Sequence, residues 1–148
     1  MRLDERATAP YAALLLRVTM GVMFLAHGLL LKVMGFGLAG TMGYFGSIGY
    51  PPILGAVVAL AEIAAGVALI LGVWVRLVSV LAMPILLGAT LQHGANGWIF
   101  TAPGGGWEFP AFWTMALLVQ AGLGAGAHAA VRKRHQAGPR VAGQSGPG

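Results

Sequence analysis

The chain has 148 residues, of which 57% are apolar and 9% carry a formal charge, against roughly 25% charged in an average soluble domain. That composition excludes a disordered chain and disfavours a soluble enzyme, and the absence of cysteine excludes disulfides, thiolate metal sites, c-type haem and CxxC redox centres. The net charge of +5 and pI near 10.5 do not point to nucleic acid, because most of the nine Lys and Arg residues gather at the chain ends and one turn; they point to orientation in a bilayer.

Residues 1–10, carrying Arg2 and Arg6, are expected to be a cytoplasmic N-terminal segment. Residues 11–31 then run apolar except for Arg17 and His27, matching the roughly 20 residues a helix needs to cross about 30 Å of hydrocarbon. The run is too long for a signal-peptide core of about 7 to 15 residues. Residues 33–51 are a loop rich in Gly and aromatics. The apolar stretch 52–91 would measure roughly 60 Å as one helix, twice the bilayer core. It must turn back, and Arg76 marks the turn because it prefers an interface to hydrocarbon. This predicts spans at 52–74 and 77–92, the second kinked at Pro84. After a loop at 93–109, a fourth span covers 110–130, with Pro110 in its first turn. The resulting expectation is all-α: a four-helix up-down-up-down transmembrane domain over 11–131, followed by a basic and then flexible tail at 132–148.

Charge sets the sidedness. Arg2, Arg6, Arg76, Arg132, Lys133, Arg134 and Arg140 fall on the side of the termini and Lys32 on the other, so both termini are expected to be cytoplasmic. Trp74, Trp98, Trp107 and Trp113 lie near span ends, where an amphipathic ring suits the headgroup level. The hairpins also share a grammar. His27-Gly28 and His93-Gly94 end the first helix of each, Pro52 and Pro110 open the second, and Glu62 and Gln120 each follow ten residues later. A parallel duplication of a helical hairpin is consistent with this.

Charges in hydrocarbon need a reason, since one at the centre of a span costs about 2.5 to 3.5 kcal/mol on the insertion scale. Arg17 and Glu62 lie at similar depth, and each shares a helix face with small residues: Ala13, Gly21 and Gly28 for Arg17, and Gly55, Ala59 and Gly66 for Glu62. They are expected to form a buried ion pair inside the bundle. A second polar group gathers towards the outer end: His27, Lys32, His93, Asn96, Trp98, Trp107 and Glu108. Such a cluster suits a quinone or another small polar-headed lipid, with His27, His93 or Lys32 bonding the headgroup and Trp98 or Trp107 covering it. A bis-histidine haem or a His, His, Glu metal site fits less well, because no tight ligand spacing is present. No metal site is expected, and no nucleophile, base and orienter set or phosphate loop occurs. Structural readings compete: Glu108 complements a helix N-terminus, and Asn96-Gly97 is a turn dipeptide.

From about residue 14 to 126 the chain resembles the DoxX family of small bacterial membrane proteins. The resemblance rests on LLRVTMGVMFLAHG, GTMGYFGSIGYPP, LAEIAAGVALILGVWVRL, HGANGWIF and GGGWEFP occurring in that order. It implies a four-helix protein of the cytoplasmic membrane, near quinone-coupled thiosulfate oxidation or redox complexes that handle oxidative or thiol stress. The family's recurring polar positions would correspond to Arg17, His27, Lys32, Glu62, Arg76, His93, Asn96 and Glu108. One departure stands out. Many relatives place Lys three residues after the His-Gly glycine, whereas HGLLLK places Lys32 four after it, a rotation of about 100° if the segment is α-helical.

The expected function is an anchor or quinone-facing subunit of a redox complex, with electron transfer performed by partner subunits. The alternatives are a membrane scaffold or assembly factor with a structural polar cluster, and a small proton-linked carrier using Glu62, Arg17 and His27. Gly122 and Gly126 offer a GxxxG surface for a homo-oligomer.

Overall fold

The computed structural model describes residues 4–131. The basic and flexible tail expected at 132–148, and Arg2 at the other end, lie outside the described residues. Helix α1 (Glu5–Leu25) starts at Asp4, whose carboxylate accepts a hydrogen bond from the Arg6 N–H at 3.0 Å, an N-cap that satisfies one of the free donors of the first turn. No break follows at His27. The backbone continues as a π-helical segment over Ala26–Gly35, making one rod of 30 residues from Arg6 to Gly35. Helices α2 (Gly37–Ser47), α3 (Pro52–Leu71), α4 (Val75–His93), a short 3-10 turn (Gly94–Asn96) and α5 (Glu108–Leu123) complete the order, with no strand among the described residues.

Three rods, Arg6–Gly35, Pro52–Leu71 and Val75–Asn96, are long and apolar enough to cross a membrane. Helix α5 has 16 residues, about 24 Å at 1.5 Å per residue, and falls short of the expected 110–130. It stops because Gly124 (φ 79°), Gly126 (φ 68°) and His128 (φ 49°) turn the chain through left-handed conformations. Residues 124–130 then lie over the ends of two other helices, with the Ala127 N–H donating to Pro10 O and the Ala130 N–H to Leu71 O, both at 2.9 Å. Gly126 is therefore a point of close approach to α1, where an added Cβ would meet Pro10 O at 2.5 Å, and not half of a GxxxG dimer face. The turn between α3 and α4 also differs from expectation. It is made by Gly72 (φ 74°) and Trp74 (φ 45°), and Arg76 already belongs to the first turn of α4.

Helix α2 falls in the expected loop 33–51. Its sequence, GLAGTMGYFGS, has weak intrinsic helix propensity, so packing decides. Gly55 of α3 has no side chain there, and a Cβ would meet Thr41 O at 2.9 Å and the Phe45 ring at 3.0 Å. The main crossing between α1 and α3 works the same way. A Cβ on Gly21 would sit 2.8 Å from Gly66 O, one on Gly66 would sit 2.8 Å from Gly21 O, and one on Gly28 would sit 2.9 Å from Ala59 O. Small residues thus let backbones touch, as is usual where lipid removes the hydrophobic drive for helix association.

Met20, Phe24, Leu69, Val75, Ala82, Leu86, Trp113 and Leu117 form the shared core of α1, α3, α4 and α5. The outward faces are as apolar as the inside: Leu15 on α1, Leu60 on α3, Leu81 on α4 and Phe112 on α5 are each 60% exposed or more. Such a surface suits acyl chains and not water. Trp74, Trp98 and Trp107 are exposed, whereas Trp113 is 3% exposed and belongs to the core. Its place near the start of α5 suggested an interfacial ring; its helix face turns it inward instead.

Candidate functional site

Arg17 and Glu62 are both buried, but they do not pair. The Arg17 guanidinium reaches the far end of α3 and the segment after α5. Nε donates to Ala125 O (2.8 Å), Nη1 to Leu69 O (2.7 Å) and Ile70 O (2.6 Å), and Nη2 to Ala127 O (3.0 Å) and His128 O (2.9 Å). A guanidinium has five N–H donors, and all five are used. Leu69 and Ile70 lie in the last turn of α3, so the cation also sits at that helix's negative end. A buried charge satisfied by oriented dipoles needs no carboxylate, which is why the expected Arg17–Glu62 pair is not formed.

Glu62 takes its cation from the π-helical segment. Lys32 Nζ donates to Oε1 at 2.9 Å and Oε2 at 2.7 Å. Bonding from i to i+5 places nearly one more residue in each turn than an α-helix does. Four residues after Gly28, Lys32 therefore stays on the face that Gly28 presses against Glu62, where a Cβ on Gly28 would come within 2.9 Å of Glu62 Cβ. The additional residue of HGLLLK is absorbed by the wider turn. The Lys32 carbonyl in turn accepts from Thr41 Oγ1 of α2 at 2.8 Å, and Thr41 is buried.

His27 directly precedes Gly28, the residue that packs against Glu62. Its Nδ1 is 2.9 Å from Met23 O. A carbonyl only accepts, so Nδ1 carries the hydrogen and, in the neutral ring, Nε2 keeps a free lone pair. The ring stacks on Phe109 (6.4 Å, 25°) and tilts against Trp113 (5.2 Å). Phe109 also lines a surface groove with Phe100, Glu108 and Phe112.

The remaining residues of the expected outer cluster serve the loop between α4 and α5. Asn96 Nδ2 donates to Gly104 O (3.1 Å) and Gly105 O (2.9 Å). Glu108 Oε1 accepts from the Phe100 N–H at 2.9 Å. The N–H groups of Trp107 and Glu108 donate to Gly97 O and Trp98 O. His93 rests beside Gly105, at 3.6 Å from a Cβ placed there, and its Nδ1 is buried without a partner. The cluster is thus two groups, His27 with Lys32 and Glu62 on one helix pair, and His93, Asn96 and Glu108 around the loop, with Phe109 touching His27 and sharing the groove with Glu108. No set of three or more metal-ligating side chains occurs among the described residues. In the sequence Phe109 is one apolar ring among many and carries no signal, and Trp113 reads as an interfacial ring and not as a neighbour of His27. Sequence reasoning passed over the Lys32–Glu62 pair although the additional residue after His27-Gly28 was the cue.

Comparison with known proteins gives the following. The DoxX family matches residues 12–102. A Bacillus subtilis (strain 168) protein described as "Putative oxidoreductase CatD" is 42% identical over 78 residues, covering 53% of this chain and 56% of that protein. The match therefore spans only about half of the length of that curated relative. No solved structure matches the chain.

Proposed function

Because the chain belongs to the DoxX family and is a membrane protein, we propose that it is the lipid-embedded, quinone-facing subunit or anchor of a redox complex. In this reading α5 is a fourth, short span completing an up-down-up-down bundle over residues 11–131. The bundle sits in the cytoplasmic membrane with both termini inside, and partner subunits carry the electrons. The observation that carries the reading is His27: an imidazole with a fixed tautomer and a free Nε2, stacked on the ring that also walls the groove of Phe100, Glu108, Phe109 and Phe112. Aromatic walls with few polar groups suit a flat, polar-headed ring. In this reading Nε2 of His27, whose ring lies against Phe109, is the acceptor for a hydroxyl of the reduced headgroup, while Glu108 borders the groove itself. His93, Asn96, Trp98 and Trp107 shape the loop around it, while Lys32 is held by Glu62. The name of the Bacillus relative agrees with redox work.

Purification from native membranes in mild detergent, followed by solvent extraction and chromatography, tests this. Quinone should be retained by the unaltered protein and lost from His27→Ala, while Asn96→Ala should lower stability and keep the quinone. Equal retention by His27→Ala would remove this site from the account.

A further inference from the structure

The two buried charges are held in opposite ways. Arg17 is 0% exposed and all its donors end on backbone oxygens, a shell in which nothing titrates. Among the described residues, Glu62 has one hydrogen-bonding partner, the Lys32 ammonium, and no backbone N–H or hydroxyl donates to it. The Lys32 side chain is 18% exposed against 5% for Glu62, so the cation lies between the carboxylate and the surroundings. We infer that Glu62, with Lys32 and His27, is a proton-exchange site that communicates with one side of the membrane only. The inference does not depend on a quinone.

The step is simple. A proton from water forms an O–H bond on one Glu62 oxygen, Lys32 keeps its charge and donates to the other, and the site gains one positive charge; release reverses this. The ionisable groups around the carboxylate are few. The π-helical segment supplies Lys32 and His27. Helix α2 supplies Thr41, which does not titrate and is bonded to the Lys32 carbonyl. Arg17 of α1 is committed at Leu69 and Ile70, seven and eight residues further along α3, or roughly 10 to 12 Å. The ionisable residues of α4, Arg76 and His93, stand at its two ends, and Glu108 of α5 belongs to the loop.

Sidedness follows from packing. Towards the end formed by Pro10, Leu71 and Ala130, the backbones of Gly21 and Gly66 meet so closely that neither tolerates a Cβ. Beyond them the Arg17 shell fills the space between α1, α3 and the segment after α5. Of the described residues, Arg17 is the one charged side chain buried in that half of the bundle, and all of its donors are already taken. Towards the other end stand the part-exposed Lys32 ammonium and His27. This arrangement opposes the carrier reading, which needs a route through both halves of the bundle.

Carbodiimide labelling of the full chain in lipid vesicles tests the inference, because the reagent adds to protonated carboxyls and can be mapped by peptide mass spectrometry. Dicyclohexylcarbodiimide should modify Glu62, as an acylurea or as an amide to Lys32 with dicyclohexylurea leaving and carrying off the elements of water, and increasingly so as pH falls. Glu62→Gln should remove the product. A membrane-impermeant, quaternary-ammonium carbodiimide should reach Glu62 from the side of the 94–107 loop and not from the side of the 72–74 turn. No product on Glu62 at any pH overturns proton exchange, and equal labelling from both sides overturns the one-sided path. Neither result depends on whether quinone is retained, so failure here is distinct from failure of the redox reading.

Discussion

A buried guanidinium and a buried carboxylate a few turns apart would be expected to neutralise each other, yet each has found a different partner. The reason is donor geometry. Five donors fanned in a plane match five carbonyls brought together where α1, the end of α3 and the segment after α5 meet. Arg17→Lys keeps the charge but has three donors, so at least two of these carbonyls lose their partner. We expect a loss of about 2–4 kcal/mol, measured as a lower unfolding midpoint in detergent, with faster proteolysis after residue 124. For the other charge, Lys32→Met strands a carboxylate in the bundle and should cost about 2–4 kcal/mol, allowing for its partial exposure. The double variant Lys32→Met with Glu62→Met should recover most of that loss, since replacing both members of a buried pair by apolar groups is often neutral. A double variant as unstable as the single one would show that the pair itself holds the fold.

At the level of elements, the π-helical segment Ala26–Gly35 is the least expected feature, and it determines where Lys32 points. A single additional residue in a helix must either rotate everything beyond it or be taken up locally, and a wider turn takes it up. Deleting Leu30, which is exposed, should convert the segment to α-helix and leave Lys32 three residues after Gly28, still facing Glu62. We expect a folded protein whose thermal midpoint stays close to that of the parent. Inserting one Ala after Leu30 should instead turn Lys32 away and give the instability of Lys32→Met. The positions of the long helices were legible in the sequence, because about 20 apolar residues bounded by Pro, Gly or a charge have one economical structure in lipid. Helix α2 and the early end of α5 were not. The first depends on fitting against Gly55, and the second on carbonyls of 125–128 finding Arg17, and neither contact leaves a local mark.

For the whole molecule, α1, α3, α4 and α5 place the start of α1, the 72–74 turn and residue 130 at one end, joined by the Ala127–Pro10 and Ala130–Leu71 hydrogen bonds. The loop between α4 and α5 lies at the other end, past His93. The chain has no cysteine, so single cysteines report sidedness without background. Thr101→Cys should react with an impermeant maleimide in intact cells, and Val131→Cys only after permeabilisation; the reverse pattern would invert the proposed orientation. By itself the sequence determined that this protein lives in lipid, where its long helices run and which few polar residues need an explanation. Those features follow from transfer free energy and helix length, which are properties of segments. Only the tertiary structure decided that Lys32 and not Arg17 faces Glu62, and that His27 meets Phe109 and Trp113, because such choices depend on the rotation and separation of neighbouring helices. Those are fixed by close packing at Gly21, Gly28, Gly55 and Gly66, a property of pairs of segments that no single stretch of chain contains.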